Sequence, residues 1–443
     1  MHQYLSQIEN LLKPDRNVLL NMSYEEAEKR VLSGDAKLID EIDGQFAIMV
    51  AEGKSVRMAR SIGRPLRYFL AKLVAGPCLI VAERMDEIVA KLTEMGISDQ
   101  FHPSYTRMVP AHHLVQIELV GCPDPNPKYT RFLAPKQNSL PPNIDTIGQQ
   151  YVAKFSQECD RWLDTIPASE PIGVLFSGGI DSGAVLVALY DRLLKRGESP
   201  ARLKAFTLRI DNCSEDAEQA LQFVRQCKME ELLEIVDCDS ESLNWRETVS
   251  VLEDYKPLDV QSGTMAMAVC RKIRERYPDW KYLVDGDGGD ENLKDYPIED
   301  NPELTIRSVL NNLMLYQEGW GVHAIKHSLT YSGGQSRGHI RTIAPAAHFG
   351  FSGFSPFALP SVIAVAEAIP FIELTNWEHK KLYALKGQVI KSGLQSVCGI
   401  DIPVFEKRRF QHGAIDKNRF EELFPAKESD YRDAFLNHYQ KRG

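Results

Sequence analysis

Between Ile172 and Val284, short apolar runs with strand character alternate with stretches of helical periodicity, and few folds accommodate that rhythm. Ile172-Gly-Val-Leu-Phe176 is a short apolar strand, and Asp181 to Leu194 carries apolar residues at helical spacing. Leu203–Ile210 and Glu231–Val236 read as strands flanking a helix over 215–228, and Trp280–Val284 follows a helix over 262–276. Strand, helix, strand in this order predicts an α/β domain on a doubly wound, mostly parallel sheet with helices on both faces. In such sheets ligands bind beyond the carboxyl ends of the strands. A further helix is expected over 146–164, and beyond residue 300 the chain reads as mainly helical.

A smaller α+β unit is expected ahead of this domain. Gln45–Val50 and Ser55–Ala59 alternate at period two around Glu52-Gly53, a hairpin pattern, and Leu79–Ala82 and Leu114–Leu119 read as further strands. Proline and asparagine are dense over Pro123–Lys128 and Pro135–Asn143, which marks a linker and divides the chain into 1–140 and 141–443. Thr342–Ala366 lacks Asp, Glu, Lys and Arg, but Pro345, Pro356 and Pro360 interrupt it. Buried irregular structure followed by a core helix is expected there, not a membrane span.

Composition narrows function by exclusion. Against 61 Asp+Glu stand 52 Lys+Arg, a net charge of −9, so there is no overall basic footprint for nucleic acid. The eight cysteines are scattered with no CxxC pair, which suits neither zinc nor a redox dithiol and predicts reduced thiols in the cytoplasm. The first residues show no secretory pattern. His323 and His327 stand at i, i+4 without a third ligand motif, and His112-His113 reads as a turn between strands. Ser332-Gly-Gly-Gln-Ser-Arg337 lacks a preceding strand, and both a lid and an ordinary surface loop remain open for it.

Two loops carry the chemistry, each directly after a strand. Ser177-Gly-Gly-Ile-Asp-Ser182 opens a helix. Its glycines let the backbone turn and present N–H groups, and the helix N-terminus adds about half a positive charge. That makes a cradle for phosphate or pyrophosphate. It lacks the lysine of a GxxxxGK[ST] loop. The second loop, Asp285-Gly-Asp-Gly-Gly-Asp-Glu291, crowds carboxylates that repel one another unless solvated or holding a cation. Carboxylates on glycine-rich backbone suit Mg²⁺, and the calcium-loop pattern of an EF-hand does not fit.

Together the loops resemble the asparagine synthetase and β-lactam synthetase family of the N-type ATP pyrophosphatases. SGGIDS is similar to the family's pyrophosphate loop, and DGDGGDE to its GEGSDE-type loop. Ala205–Leu208 resembles the strand that contacts adenine, Leu252–Tyr255 and Ser262–Ala266 the segments before the acidic loop, and Lys407–Gly413 the K-x-x-F-x-x-G segment. Ile42–Ala47 and Ala59–Tyr68 look like segments of the class II glutamine amidotransferase domain, a small Ntn-type α+β domain. That domain's nucleophile is a cysteine directly after the initiator Met, whereas this chain begins Met1-His2-Gln3 and its first cysteine is Cys78. A truncated, degenerate glutaminase-like unit that does not hydrolyse glutamine is therefore expected.

The resemblance implies a soluble, cytoplasmic ligase that uses ATP and Mg²⁺ to adenylate a carboxylate and pass it to an amine or ammonia. Ser177, Gly178, Gly179 and Ser182 would hold pyrophosphate, and Asp181 and Asp290 would ligate Mg²⁺. Leu175, Leu208, Asp285 and Gly286 would bound adenine and ribose. Lys407 would stabilise charge at the adenylate or pyrophosphate, and Asp287 stands where the family's catalytic Glu contacts the amine. The family's E-A-R-V-P-F-L-D segment, which shapes the aspartate site, corresponds to Ser352–Leu359, where Phe354 and Leu359 replace its Arg and Asp. Loss of that carboxylate partner disfavours aspartate. A small-molecule or peptide acid, in the biosynthesis of a specialised metabolite or modified peptide, is expected instead. An intramolecular cyclase of β-lactam or lasso-peptide type, a tRNA-modifying pyrophosphatase and a catalytically silent nucleotide-binding subunit stay open. So does assembly as a homodimer or with a partner biosynthetic protein.

Overall fold

The computed structural model describes residues 7–118, 127–213, 215–295, 305–311, 337–405 and 414–440. Two four-stranded sheets build the N-terminal unit. β4 (Ala47–Glu52) and β5 (Ser55–Arg60) form the expected hairpin, turning at Gly53 with φ 62, and β9 (His113–Glu118) and β10 (Lys128–Arg131) extend it. The second sheet has the order β1 (Gln7–Asn10), β7 (Gly76–Ala82), β6 (Arg67–Leu73), β8 (Arg107–Met108). A two-stranded ribbon, β2 (Val18–Leu19) with β3 (Gly44–Gln45), lies beside them. Alternation sends Ala47, Met49, Val56, Met58, Tyr68, Leu79, Val81, Val115 and Ile117 into one core between the sheets. The opposite faces are covered by α1 (Tyr24–Ser33) and α2 (Ala36–Asp40) on the first sheet and by α3 (Met85–Glu94) on the second. The layers thus run helix, sheet, sheet, helix.

From 144 onwards the chain winds both ways from a central strand. α4 (Ile144–Leu163) precedes β11 (Ile172–Leu175), α5 (Ile180–Lys195), β12 (Leu203–Ile210), α6 (Glu215–Cys227) and β13 (Leu233–Cys238). α7 (Trp245–Leu252) and α8 (Pro257–Arg276) lead back across the sheet to β14 (Tyr282–Val284). The short α9 (Gly289–Leu293), α10 (Ile306–Asn311) and α11 (Arg337–His348) precede β15 (Ser352–Phe354). The order β13-β12-β11-β14-β15 is parallel throughout, a doubly wound sheet whose direction of winding reverses between β11 and β14. Both chemistry-bearing loops therefore leave the sheet at its switch point.

Side-chain alternation divides the core. Val174, Ala205 and Val284 face α4, α5 and α6, together with α12 (Pro360–Glu367), α13 (Phe371–Thr375) and α14 (His379–Cys398). Phe206, Leu208 and Leu283 face α7, α8, α11 and the closing helices α15 (Lys417–Leu423) and α16 (Glu428–Gln440). Two details depart from the sequence reading. β13 starts two residues late, after a 3-10 turn at Glu230–Leu232. Thr342–His348, expected to be irregular, continues α11 through Pro345; packing against α8 outweighs the one helical hydrogen bond that proline forfeits. Among the described residues no helix is long and apolar enough to cross a membrane.

The stretch between β10 and α4, where the linker is expected, lies against the larger unit: Leu140 N–H donates to Ala368 O at 2.9 Å. The junction's polar centre is Glu253, 1% exposed, in the left-handed region at φ 54 after α7. It pairs with Arg67 at 3.0 Å and accepts a hydrogen bond from Met85 N–H at 2.7 Å. Arg84 adds bonds to Val251 O and Ser250 O. Ala358 and Ile363 of the larger unit complete an N-terminal apolar cluster.

Candidate active site

The first loop is shaped by its need to turn between β11 and α5. Gly178 has φ 74, and a Cβ there would stand 2.6 Å from the backbone nitrogen of Ala220, so both the conformation and the space require glycine. The serines brace the loop: Ser177 N–H donates to Ser182 Oγ at 3.3 Å and Gly179 N–H to Ser177 Oγ at 3.3 Å. The sixteen-residue α5 starts immediately after Gly179, directing its N-terminal amides at the same space.

The second loop docks onto the first through glycine. A Cβ on Gly286 would lie 2.7 Å from Ser182 N, and one on Gly289 only 2.2 Å from Asp181 Oδ1. Asp181, Ser182, Gly286, Asp290 and their neighbours consequently form one surface. Asp285 is 4% exposed and its Oδ1 accepts hydrogen bonds from Asp287 N–H at 3.0 Å and from Ser355 Oγ–H. Burial first, then the charge of Asp287, raises the Asp285 carboxyl well above the usual range. Asp287 is pushed up to about 6, chiefly by burial; Arg341 and Thr342 of α11 oppose the shift, while Glu291 and Asp290 add to it. Asp287 Oδ2 is buried and accepts no hydrogen bond.

Lys386 was not singled out by the sequence reading, yet it joins the two loops. It projects from α14, is 3% exposed, and contacts both Asp181 and Asp290, with Asp295 at 3.5 Å. Burial alone would lower its pKa, but the three carboxylates prevail and hold it well above the usual lysine value. A sequence signal existed: Leu382, Leu385, Lys386, Val389 and Ile390 make a buried helical stripe in which one member is charged. The two carboxylates expected to ligate Mg²⁺ thus converge on one buried cation; they are the donor type that Mg²⁺ takes, while among the described residues no group of three or more His, Cys, Asp or Glu forms a ready metal site. Arg341 stands beside Asp287, 3.6 Å from Asp259 Oδ1 and 3.9 Å from Glu291 Oε1.

Other expected residues are placed less centrally. Leu175 is half-buried at the end of β11, and Leu208 is 2% exposed within the second core. Phe354 and Leu359 are fully buried; Phe354 stacks on Trp162 with ring centroids 4.6 Å apart. No charged group replaces the family's Arg and Asp at those two positions. Lys407, His323, His327 and most of the Ser332–Arg337 loop lie outside the described residues. No disulfide joins the seven described cysteines to one another, and burial pushes Cys78 up to about 11.

No curated protein matches the chain. Residues 165–341, which span both loops and end at Arg341, match the asparagine synthase family model. Sheet order, switch-point loops and this match agree, and the chain carries a domain of the asparagine synthase family.

Proposed function

We propose that the protein is an ATP-dependent, AMP-forming ligase that joins a carboxylic acid to an amine. The observation that carries this reading is the docking of the acidic loop on the SGGIDS loop, with Gly289 against Asp181 at the switch point of the sheet. The acid's carboxylate oxygen attacks the α-phosphorus of ATP and pyrophosphate departs. The amides and hydroxyls of Ser177, Gly178, Gly179 and Ser182 receive the leaving charge. Asp181 and Asp290 would hold Mg²⁺, which supplies neutralisation of phosphate oxygens when bound. Leu175, Leu208, Asp285 and Gly286 frame adenine and ribose, and Lys407 neutralises charge at the adenylate.

Amide formation needs a proton acceptor for the incoming amine. Asp287 offers a buried oxygen with no donor, at a pKa of about 6 that makes it a better base than an ordinary aspartate. The acid is not aspartate on this reading, because Phe354 and Leu359 stand where its side-chain partners would be. On this reading the N-terminal unit is similar to a glutaminase domain but offers no cysteine ahead of Cys78 in the sequence, and nitrogen arrives as an amine or ammonia. Purified protein with Mg²⁺, ATP and panels of acids and amines should release AMP and pyrophosphate. ADP and phosphate as stoichiometric products would refute the reading.

A further inference from the structure

Asp295 is the one carboxylate around Lys386 to which the reaction above gives no task. Lys294 closes α9 in the left-handed region at φ 56, the chain doubles back, and Asp295 N–H donates to Asp290 O at 2.9 Å. This turn brings Asp295, 8% exposed, to the same ammonium that Asp290 contacts. Asp181 reaches that ammonium from α5, on the other side of the loop junction.

A buried ammonium needs a counter-charge in every state of the protein. As the structure stands, Asp181 and Asp290 supply it at contact distance, and Asp295 sits slightly farther off at 3.5 Å. A divalent ion entering between Asp181 and Asp290 would claim their oxygens and repel the ammonium. With its side chain 3% exposed, Lys386 keeps its need for a nearby carboxylate even though Asp181 and Asp290 are 20% and 38% exposed. Asp295, already 3.5 Å away, is the third carboxylate within reach of it.

We propose that Lys386 acts as an internal surrogate cation that closes the Asp181–Asp290 pair in the free protein. Asp295 is the positioning residue onto which its ammonium shifts when a divalent ion enters. Metal binding is then a competition between Lys386 and the ion, and Asp295 lowers the cost of displacing the lysine. This rests on the assignment of Asp181 and Asp290 as the metal pair, and it is tested without substrates, separately from the ligase reading.

The experiment is a double-mutant cycle on the full chain, with Mn²⁺ as the probe and its free concentration read by electron paramagnetic resonance, in the absence of ATP. Lys386→Met should bind Mn²⁺ about tenfold tighter than the unmodified protein, and Asp295→Asn about tenfold weaker. In the Lys386→Met background, Asp295→Asn should change affinity less than about threefold, because the residue acts through the lysine. Equal weakening in both backgrounds would make Asp295 a direct partner of the ion and overturn the proposal. No effect of Asp295→Asn in either background, no gain from Lys386→Met, or no Mn²⁺ binding by any variant would overturn it as well. Circular dichroism verifies folding; if Lys386→Met does not fold, Lys386→Gln, which removes the charge but keeps hydrogen bonds, takes its place.

Discussion

Lys386 and Asp181, 205 residues apart in the chain, meet as a part-buried ion pair at the N-terminus of α5, the lysine 3% and the aspartate 20% exposed. The pair ties α14 to the SGGIDS loop, so substitutions at the proposed metal pair should affect stability as well as catalysis. Lys386→Met leaves Asp181, Asp290 and Asp295, all partly exposed, facing one another, and should cost about 1.5–3 kcal/mol in urea unfolding without divalent ions. Asp181→Asn leaves the ammonium two carboxylates and should cost about 1.5–3 kcal/mol while removing most activity. An unchanged unfolding midpoint for Lys386→Met would show that the pair does not form in solution.

Gly289→Ala separates fit from charge. Its Cβ would fall 2.2 Å from Asp181 Oδ1, and a side-chain carboxylate can rotate away. The expected result is a folded protein with at least about a hundredfold lower turnover, because a small displacement of a positioned group is enough for that loss. Gly286→Ala meets backbone at Ser182 N, 2.7 Å away, which cannot rotate away, so it should lower the melting temperature as well. Wild-type turnover in Gly289→Ala would mean that contact between the loops is not required.

The raised carboxyl of Asp287 makes two predictions with pH. The folded protein holds this proton more tightly than the unfolded chain, so stability should fall as pH rises from the unfolded value of 3.8 through about 6. Asp287→Asn should flatten that slope in urea titrations across pH 4 to 7. In catalysis the basic form is lost as pH drops below about 6, so amide formation should fall there. Asp287→Asn should retain ATP–pyrophosphate exchange and lose amide formation by about 10²–10⁴-fold, since an amide accepts no proton. Equal loss of both would move Asp287 to the nucleotide or metal.

Glu253 ties the N-terminal unit to the larger unit through Arg67 and Met85 N–H. Glu253→Ala strands Arg67, 3% exposed, without its carboxylate, and should cost about 3–5 kcal/mol. Deleting residues 1–140 should yield aggregated protein, because Ala358 and Ile363 lose their apolar cover. A monodisperse, active fragment from 141 onwards would contradict this.

The strands that enter the loops were legible because each is a short apolar run stopped by glycine and polar residues, and the loops themselves carry their chemistry in contiguous sequence. Lys386 was not legible in that way. Its partners lie 205 and 96 residues away, and only a charge within the apolar stripe of α14 hinted at it. α11 was hidden by Pro345, where tertiary packing overrode local preference. β15, three residues long, has too few positions for alternation to register, and it is fixed instead by pairing with β14. The position of Arg341 is likewise set by distant parts of the chain: Asp259 and Glu291 reach it from separate elements.

Transfer of oxygen from the acid to the nucleotide tests the central claim most directly. An acid that supports turnover is labelled with ¹⁸O in its carboxylate, and the AMP released is weighed by mass spectrometry. Attack by that carboxylate on the α-phosphorus leaves one acid oxygen on the phosphate when the amine displaces AMP. The account predicts one ¹⁸O atom per AMP, with label absent from pyrophosphate. Unlabelled AMP, or label in inorganic phosphate beside ADP, would contradict it.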